Sequence, residues 1–136
     1  MDGKAYLEEV QRLDILIKAA RRKIARQKAV ATSITAQMGG ERVQSTSTKQ
    51  RMAEAVGSYV DTERDELLPL LRKRDEILNN VRKVHGKIRF VVLYEHYFEG
   101  KKLTTIAKEQ HYSYSHIARE HGEGLAEIAR IIGENL

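Results

Sequence analysis

The sequence feature that most restricts the fold is a long repeat of apolar residues near the N-terminus. Between residues 4 and 38, such residues recur at alternating steps of three and four, with one polar position, Gln27. The repeat consists of Tyr6, Val10, Leu13, Ile17, Ala20, Ile24, Gln27, Ala31, Ile34 and Met38. This spacing puts one apolar stripe on one face of a helix, as in helices that pack side by side. It predicts a single long helix that needs a partner helix.

A second stretch of the chain supplies that partner. Gly39-Gly40 and the polar residues up to about Thr48 have the composition of a loop. A similar apolar stripe follows, formed by Met52, Val56, Val60, Leu67, Leu71, Leu78 and Val81. We expect an antiparallel hairpin whose helices cover each other's stripes. Because Pro69 lacks an amide hydrogen and clashes with the preceding turn, it should kink or split the second helix near Glu66.

The C-terminal part of the chain predicts shorter helices. His85-Gly86 marks a joint, after which Phe90, Leu93, Tyr94 and Tyr97 share one helical face. A short helix then puts Leu103, Ile106 and Ala107 on one side.

A tight connection at His111-Tyr112 leads to the last predicted helix. We expect Tyr112 to be an apolar plug for this connection. Ser113 is expected to cap the last helix, because its hydroxyl can accept a hydrogen bond from a free amide of the first turn. Ile117 and Leu125 should then face inward. The pattern is that of a helix-turn-helix.

At these residues the chain resembles the helix-turn-helix of sigma factor region four. The matching residues are Val92-Leu93, Tyr97-Phe98-Glu99-Gly100, Ile106-Ala107, Tyr112-Ser113, Ile117 and Leu125. More narrowly, the chain is similar to the phage late-gene activators of Gram-positive hosts, the group to which RinA and ArpU belong. The segments Ala31–Ile34, Val43–Ser45 and His121-Gly122 share that likeness. The resemblance implies a transcription regulator that binds promoter DNA sequence-specifically, with RNA polymerase as a further partner.

Residues for DNA contact follow from the resemblance. A recognition helix presents its first turns to the major groove. Candidate contacts are Tyr114, Ser115, Ala118 and Arg119, with His116 nearer the phosphates and with Lys102 and Thr104 at the start of the preceding helix. Arg119 is the only long cation on the exposed face, so it is the best candidate for a two-pronged contact with guanine. The alternative is an exposed arginine paired with Glu123.

Two glycines, Gly122 and Gly124, lie inside the predicted last helix. Each costs roughly 1 kcal/mol relative to alanine in a helix interior. Replacing both by alanine should therefore raise the melting temperature, unless a close helix crossing needs glycine there.

The charge is unevenly distributed along the chain. The net charge is +5, but residues 1–84 hold 17 Lys and Arg against 12 Asp and Glu, whereas residues 85–136 hold 7 against 7. A neutral helix-turn-helix should bind DNA weakly, since phosphate attraction supplies most non-specific affinity. We expect help from a second copy, from the basic N-terminal helices or from RNA polymerase. The run Lys18–Lys28 has six basic residues and no acid, and we interpret it as a solvated helix face in preference to a phosphate-binding one.

Several functional classes are disfavoured. Without cysteine the chain has no disulfide and no thiolate zinc site. It lacks a Gly-rich phosphate loop and a His-Glu-x-x-His pair, and nothing in the sequence orients Glu95, His96 and Glu99 as an acid-base set. His111, His116 and His121 are five residues apart, which does not put them on one face as metal ligands, so we read them as turn and surface histidines. We expect no enzyme activity, metal or cofactor, no membrane span, and a cytoplasmic location.

The sequence thus predicts an all-α protein in which a long N-terminal helical hairpin (residues 1–84) precedes a helix-turn-helix domain (residues 85–136). The favoured function is DNA-binding transcription regulation. The alternative is a helical assembly or packaging protein, like a small terminase subunit, that does not recognise promoters. Because the apolar stripe of the first helix is longer than one small domain usually buries, we also expect a homodimer built through the N-terminal helices.

Overall fold

The computed structural model describes residues 2–38 and 46–134. These residues form helices and connecting turns and include no strand, so the predicted all-α class is confirmed. The helices are α1 (Gly3–Met38), α2 (Thr46–Thr62), a π-helical turn (Glu63–Leu67), α3 (Leu68–Val81), α4 (Lys87–Tyr97), α5 (Leu103–Gln110) and α6 (Tyr114–Glu134).

The chain divides into two compact units. One is Ile15–Arg72, and the other combines the described residues of Met1–Asp14 and Lys73–Leu136. These bounds differ from the predicted division at residue 84, because the first turns of α1 and the end of α3 belong with the C-terminal helices. The roles assigned to residues 1–84 and 85–136 stay predictions.

The unit Ile15–Arg72, here called the hairpin unit, is an antiparallel helix pair. Its second arm consists of α2, the π-helical turn and the start of α3. Gln27 Nε2 donates to Ser58 Oγ at 3.0 Å, and Lys23 Nζ donates to Glu66 Oε1 at 2.8 Å. Positions earlier on α1 therefore contact positions later in the second arm. The predicted stripe of α1 is buried at Ile17, Ala20, Ile24, Ala31 and Ile34. The chain therefore covers this part of the stripe by itself.

The stripe predicted on α2 is only partly correct. Val56 and Val60 were expected to face inward but are 36% and 44% exposed. Met52 and Leu67 are half-buried. A repeat of apolar residues shows which positions share a face, and it does not show how much of that face the partner helix reaches.

The interruption expected near Glu66 is confirmed as the π-helical turn Glu63–Leu67. There the amide of Leu68 donates to the carbonyl oxygen of Glu63, five residues earlier. Pro69 follows directly and cannot donate a helical hydrogen bond, so the widened turn lies where the regular ladder would break. The loop predicted from Gly39-Gly40 to about Thr48 lies outside the described residues up to residue 45, and α2 already begins at Thr46.

The second unit, here called the C-terminal unit, packs the first turns of α1 and the end of α3 with α4, α5 and α6. Its buried hydrophobic residues are Leu7, Val10, Leu13, Ile77, Val81, Val84, Val92, Leu93, Tyr97, Phe98, Ile106, Ala107, Ile117 and Ile128. Leu7 takes the inward position predicted for Tyr6, which is half-buried. The Tyr6 hydroxyl instead accepts a hydrogen bond from Asn80 Nδ2 at 2.7 Å. Because Leu7 fills the core, the ring of Tyr6 can stay half-buried with its hydroxyl next to a hydrogen-bond partner.

Two glycines of this unit have clear structural reasons. Gly86 precedes α4 with φ 89, a backbone conformation that side chains disfavour, which fits the predicted joint at His85-Gly86. Gly124 is buried where α6 crosses α4, and a Cβ there would lie 3.0 Å from Leu93 Cδ1. Gly122, by contrast, faces open space.

The first face predicted on α4 is correct for Leu93 and Tyr97, which are buried. Phe90 and Tyr94 are half-buried, and their rings stack with centroids 5.7 Å apart. Val92 is fully buried although the predicted face did not include it. It packs against Ile106 and Ala107 of α5 and Ile117 of α6, so these helices cover a wider face of α4 than the predicted stripe.

Candidate nucleic-acid interface

The turn between α5 and α6 is tight and lies at His111-Tyr112, as predicted. His111 ends α5 in the left-handed conformation (φ 60, ψ 39). The amide of Tyr112 donates to the carbonyl oxygen of Ala107 at 3.0 Å, which closes the end of the helix. The chain is then free to start α6 at Tyr114, so a connection of three residues joins the short helix α5 to the long helix α6.

Ser113 caps α6, as predicted. Its Oγ accepts a hydrogen bond from the amide of His116 at 3.1 Å, and its carbonyl oxygen accepts one from the amide of Ile117 at 3.1 Å. The side chain thus satisfies one of the free amides of the first turn. Lys102, which precedes α5, makes no comparable side-chain cap.

A small apolar core fixes the orientation of both helices. Val92, Ile106, Ala107 and Ile117 are buried together, and Ile88 and Leu103 pack against them. Because Ile117 is fully buried, the opposite side of α6 faces away from the core. This side carries the predicted contact residues.

The predicted residues of α6 share the outward face. Tyr114 is 53% exposed, Ser115 and Arg119 are exposed, and Ala118 is partly exposed. His116 is half-buried at the edge of this face. Lys102 and Thr104 are exposed at the start of α5. Among the residues that the structure describes, no hydrogen bond joins these two to the α6 set, so their place in one surface stays a prediction.

The interpretation of Tyr112 as an apolar plug is wrong. Its side chain is 48% exposed, and its ring lies against His116 with centroids 4.8 Å apart. The connection is closed by backbone hydrogen bonds and needs no apolar filling. Tyr112 therefore lies at the surface beside the predicted contact residues.

Arg119 is held within its own helix. Its Nη2 lies 2.9 Å from Nδ1 of His116. The alternative pairing with Glu123 does not occur, because Glu123 Oε2 accepts from Arg89 Nη2 at 2.7 Å. Arg119 thus contacts a ring of its own helix and has no acidic partner among the described residues.

The acids of α6 form a cluster around Arg89 that the sequence analysis missed. Arg89 of α4 binds Glu120 at 3.0 Å, Glu123 at 2.7 Å and Glu127 at 2.9 Å. Hydrogen bonds to Glu127 and Glu120 raise the pKa of Arg89. The available signal was the spacing of three and four between these glutamates, which marks one face of a helix.

A second acidic cluster surrounds Lys101. Its Nζ lies 2.8 Å from Glu109 and 3.8 Å from both Glu95 and Glu99. The hydrogen bond with Glu109 raises the pKa of Lys101. His96, considered above with Glu95 and Glu99 as an acid-base set, instead has its Nδ1 2.7 Å from the carbonyl oxygen of Lys101. These carboxylates are counter-charges of one lysine.

The two clusters explain how a neutral domain can present positive charge. They contain six of the seven acids of residues 85–136, all except Glu134. The remaining cations have no ion pair within the described part of the chain: Lys87, Lys102, Lys108, Arg119 and Arg130. Charge is therefore separated within residues 85–136, and the outward face of α6 carries Arg119, which has no ion pair among the described residues.

His121 is not a simple surface histidine. Its Nε2 lies 2.8 Å from the Tyr97 hydroxyl, and its ring packs edge-on against His96 at 5.3 Å between centroids. Burial lowers the pKa of His121 and raises that of Tyr97 to about 12. The pair lies on the inner side of α6 and belongs to its packing.

Comparison of the chain with family models, curated proteins and solved structures finds no match. Of the helices described, none combines the length and the apolar character that a bilayer crossing requires.

Proposed function

We propose that this protein is a sequence-specific DNA-binding transcription regulator that reads DNA with α6. The main support is the α5–turn–α6 arrangement. Ser113 caps α6 and the buried Ile117 fixes its orientation. As a result, Tyr114, Ser115 and Arg119 face outward. A capped helix is suited to insertion in a major groove when its first turn is exposed and carries an arginine without an ion pair. The resemblance to phage late-gene activators supports promoter DNA as the ligand, in the cytoplasm of a bacterial host.

The charge distribution supports the same proposal. Glutamates held by Arg89 and Lys101 lie in clusters, while Lys102, Lys108 and Arg119 have no acidic partner in the described chain. Phosphate contacts need accessible cations more than a high net charge. The neutral total of residues 85–136 is thus compatible with DNA binding.

The test is selection of bound sequences from a random duplex pool, with the wild type and two matched variants. Arg119→Ala removes the proposed base contact, and Arg130→Ala removes an unpaired exposed arginine from a later turn of the same helix. We expect Arg119→Ala to lose discrimination at one base pair, by about 1–3 kcal/mol, and Arg130→Ala to keep the selected sequence. An unchanged selected sequence and affinity in Arg119→Ala would show that α6 does not read the groove.

Further partners belong to this proposal. A homodimer formed through the hairpin unit would double the DNA contacts, and RNA polymerase could supply others. The alternative, an assembly or packaging protein like a small terminase subunit, draws on the same hairpin, whose Val56 and Val60 are exposed. A wild type that shows no salt-dependent binding to any duplex would favour that alternative.

A further inference from the structure

The six basic residues of Lys18–Lys28 are not equivalent in the structure. Two of them face the second arm of the hairpin unit and are paired: Lys23 Nζ lies 2.8 Å from Glu66, and Lys28 Nζ lies 3.5 Å from Glu63. Lys28 also lies over the ring of Tyr59, 5.4 Å from its centroid. These two lysines form ion pairs between α1 and the second arm of the hairpin.

The other four are Lys18, Arg21, Arg22 and Arg26, which we call the basic stripe. All four are exposed, and the described residues offer none of them an ion pair. Three acids of the helices in question are bound to other cations. Asp61 and Asp65 bind Arg64 at 3.1 and 2.8 Å, and Asp14, one turn before Lys18, binds Arg74 at 2.7 Å.

This arrangement is unfavourable for a helix by itself. Lys18, Arg22 and Arg26 follow one another at four-residue steps, about 6 Å apart along the helix axis. Like charges at that spacing repel. A solvated charged face normally mixes both signs, whereas the described residues place no acid within ion-pair distance of this stripe. The stripe therefore fits an external partner with regularly spaced negative charge.

Two kinds of anionic partner have such charge, a nucleic-acid backbone and a lipid surface. A membrane-bound helix needs an apolar face to insert beside its cations. The continuous apolar face of α1 is buried in the hairpin at Ile17, Ala20 and Ile24. The large apolar side chains still exposed on α1 are Ile15, Leu16 and Val30, which are too few and too far apart to form a second such face. Arginine, the majority residue of the stripe, pairs with phosphate through two parallel hydrogen bonds. A phosphate backbone is the better fit.

We infer that the basic stripe is a sequence-independent contact for the phosphate backbone of double-stranded DNA. The inference rests on the proposed function for the identity of its ligand. It assigns the specific contacts to α6 and a share of the affinity to α1, which supplies charge that residues 85–136 lack.

The experiment compares two double variants of the same helix. Arg22→Gln/Arg26→Gln removes two cations of the stripe, and Lys23→Gln/Lys28→Gln removes two paired cations, so both change the net charge equally. Binding to a random-sequence duplex is measured by fluorescence anisotropy between about 50 and 200 mM salt. The slope of log K against log salt then gives the number of phosphate contacts. Circular dichroism confirms that both variants are folded.

The stripe variant should lose affinity on the order of tenfold, and its plot of log K against log salt should be shallower by about 1.8. The paired-lysine variant should keep the wild-type slope. Equal slopes in both variants would overturn the inference. So would a wild type that fails to bind the duplex at about 50 mM salt, where phosphate contacts are strongest in this range. So would loss of binding to phosphatidylserine vesicles with unchanged duplex binding, which would identify a lipid partner.

Sequence selection separates this inference from the proposed function. The stripe variant should select the same sequence as the wild type, only with lower affinity. If the wild type selects no sequence but the stripe still sets the salt slope, regulation by sequence recognition fails and the backbone contact stands. If a sequence is selected and the stripe has no effect, the reverse holds.

Discussion

At the scale of single residues, the two glycines of α6 have different roles. A side chain at Gly122 would meet nothing within 4 Å, whereas one at Gly124 would lie 3.0 Å from Leu93 Cδ1 and 3.2 Å from Arg89 Cγ. Leu93 is fully buried and has little room to move. One glycine is thus an ordinary exposed helix position, and the other allows α4 and α6 to approach.

The two substitutions should therefore change stability in opposite directions. Gly122→Ala should raise the free energy of unfolding by about 1 kcal/mol, because alanine loses less backbone entropy in a helix. Gly124→Ala should lower it by about 1 kcal/mol, since overpacking at Leu93 exceeds that gain. Urea unfolding of each variant measures both effects. A Gly124→Ala variant as stable as Gly122→Ala would show that the crossing tolerates a methyl group.

Single residues also show what the sequence could reveal about the interface. Ser113 was predictable because a cap depends on local chemistry within one turn. Tyr112 was not, because its exposure depends on how backbone hydrogen bonds of Ala107 and His111 close the turn. The partner of Arg119 was missed for a related reason: Glu123, four residues on, is taken by Arg89 from another helix.

At the scale of elements, the contact between α4 and α6 depends on Glu127. This carboxylate is 4% exposed and accepts hydrogen bonds from Arg89 Nη1 at 2.9 Å and from the amide of His85 at 3.0 Å. Burial alone would raise the pKa of Glu127, but the hydrogen bonds from Arg89 and His85 outweigh it and lower the pKa. The ionised form is therefore favoured in the folded protein.

A depressed carboxyl pKa makes stability depend on pH in a defined direction. The contribution of Glu127 should be complete above the unfolded value, about pH 4.3, and should be lost as the pH falls through the lower folded value. Glu127→Gln should lower the free energy of unfolding at pH 7 by about 1–3 kcal/mol, and this difference should shrink towards pH 3. Thermal unfolding across that range measures it.

The exposed Glu54 of α2 provides the control for this measurement. Glu54→Gln should differ little from the wild type at any pH, because an exposed carboxylate contributes little. A Glu127→Gln difference that stays constant from pH 7 to pH 3 would show that the loss comes from packing and not from charge.

Elements were the most predictable scale of this fold. Apolar spacing defined α1 over nearly its whole length, and Pro69 marked the π-helical turn. The stripe of α2 was less predictable, since burial of Val56 and Val60 depends on the partner surface. The clusters around Arg89 and Lys101 join residues far apart in sequence. The spacing of Glu120, Glu123 and Glu127 puts these acids on one helix face, but no local pattern shows which cation they surround.

At the scale of the whole molecule, the structure changes the argument for a homodimer. The sequence predicts a dimer because the stripe of α1 is longer than one small domain usually buries. Within the hairpin unit, however, Ile17, Ile24 and Ile34 are buried by the chain itself. The apolar surface still available on α2 is the pair Val56 and Val60, one helical turn apart and both exposed.

We therefore expect any homodimer to form through this face of α2. Val56→Glu/Val60→Glu should convert the protein to a monomer, because charged side chains opposite each other in a two-fold interface repel. Val30→Glu, at an exposed position of α1, is the matched control and should keep the dimer. Light scattering at micromolar concentration measures the mass, and circular dichroism confirms that both variants are folded. A wild-type protein with monomer mass, with and without DNA, would contradict the dimer and leave RNA polymerase as the expected source of additional binding energy.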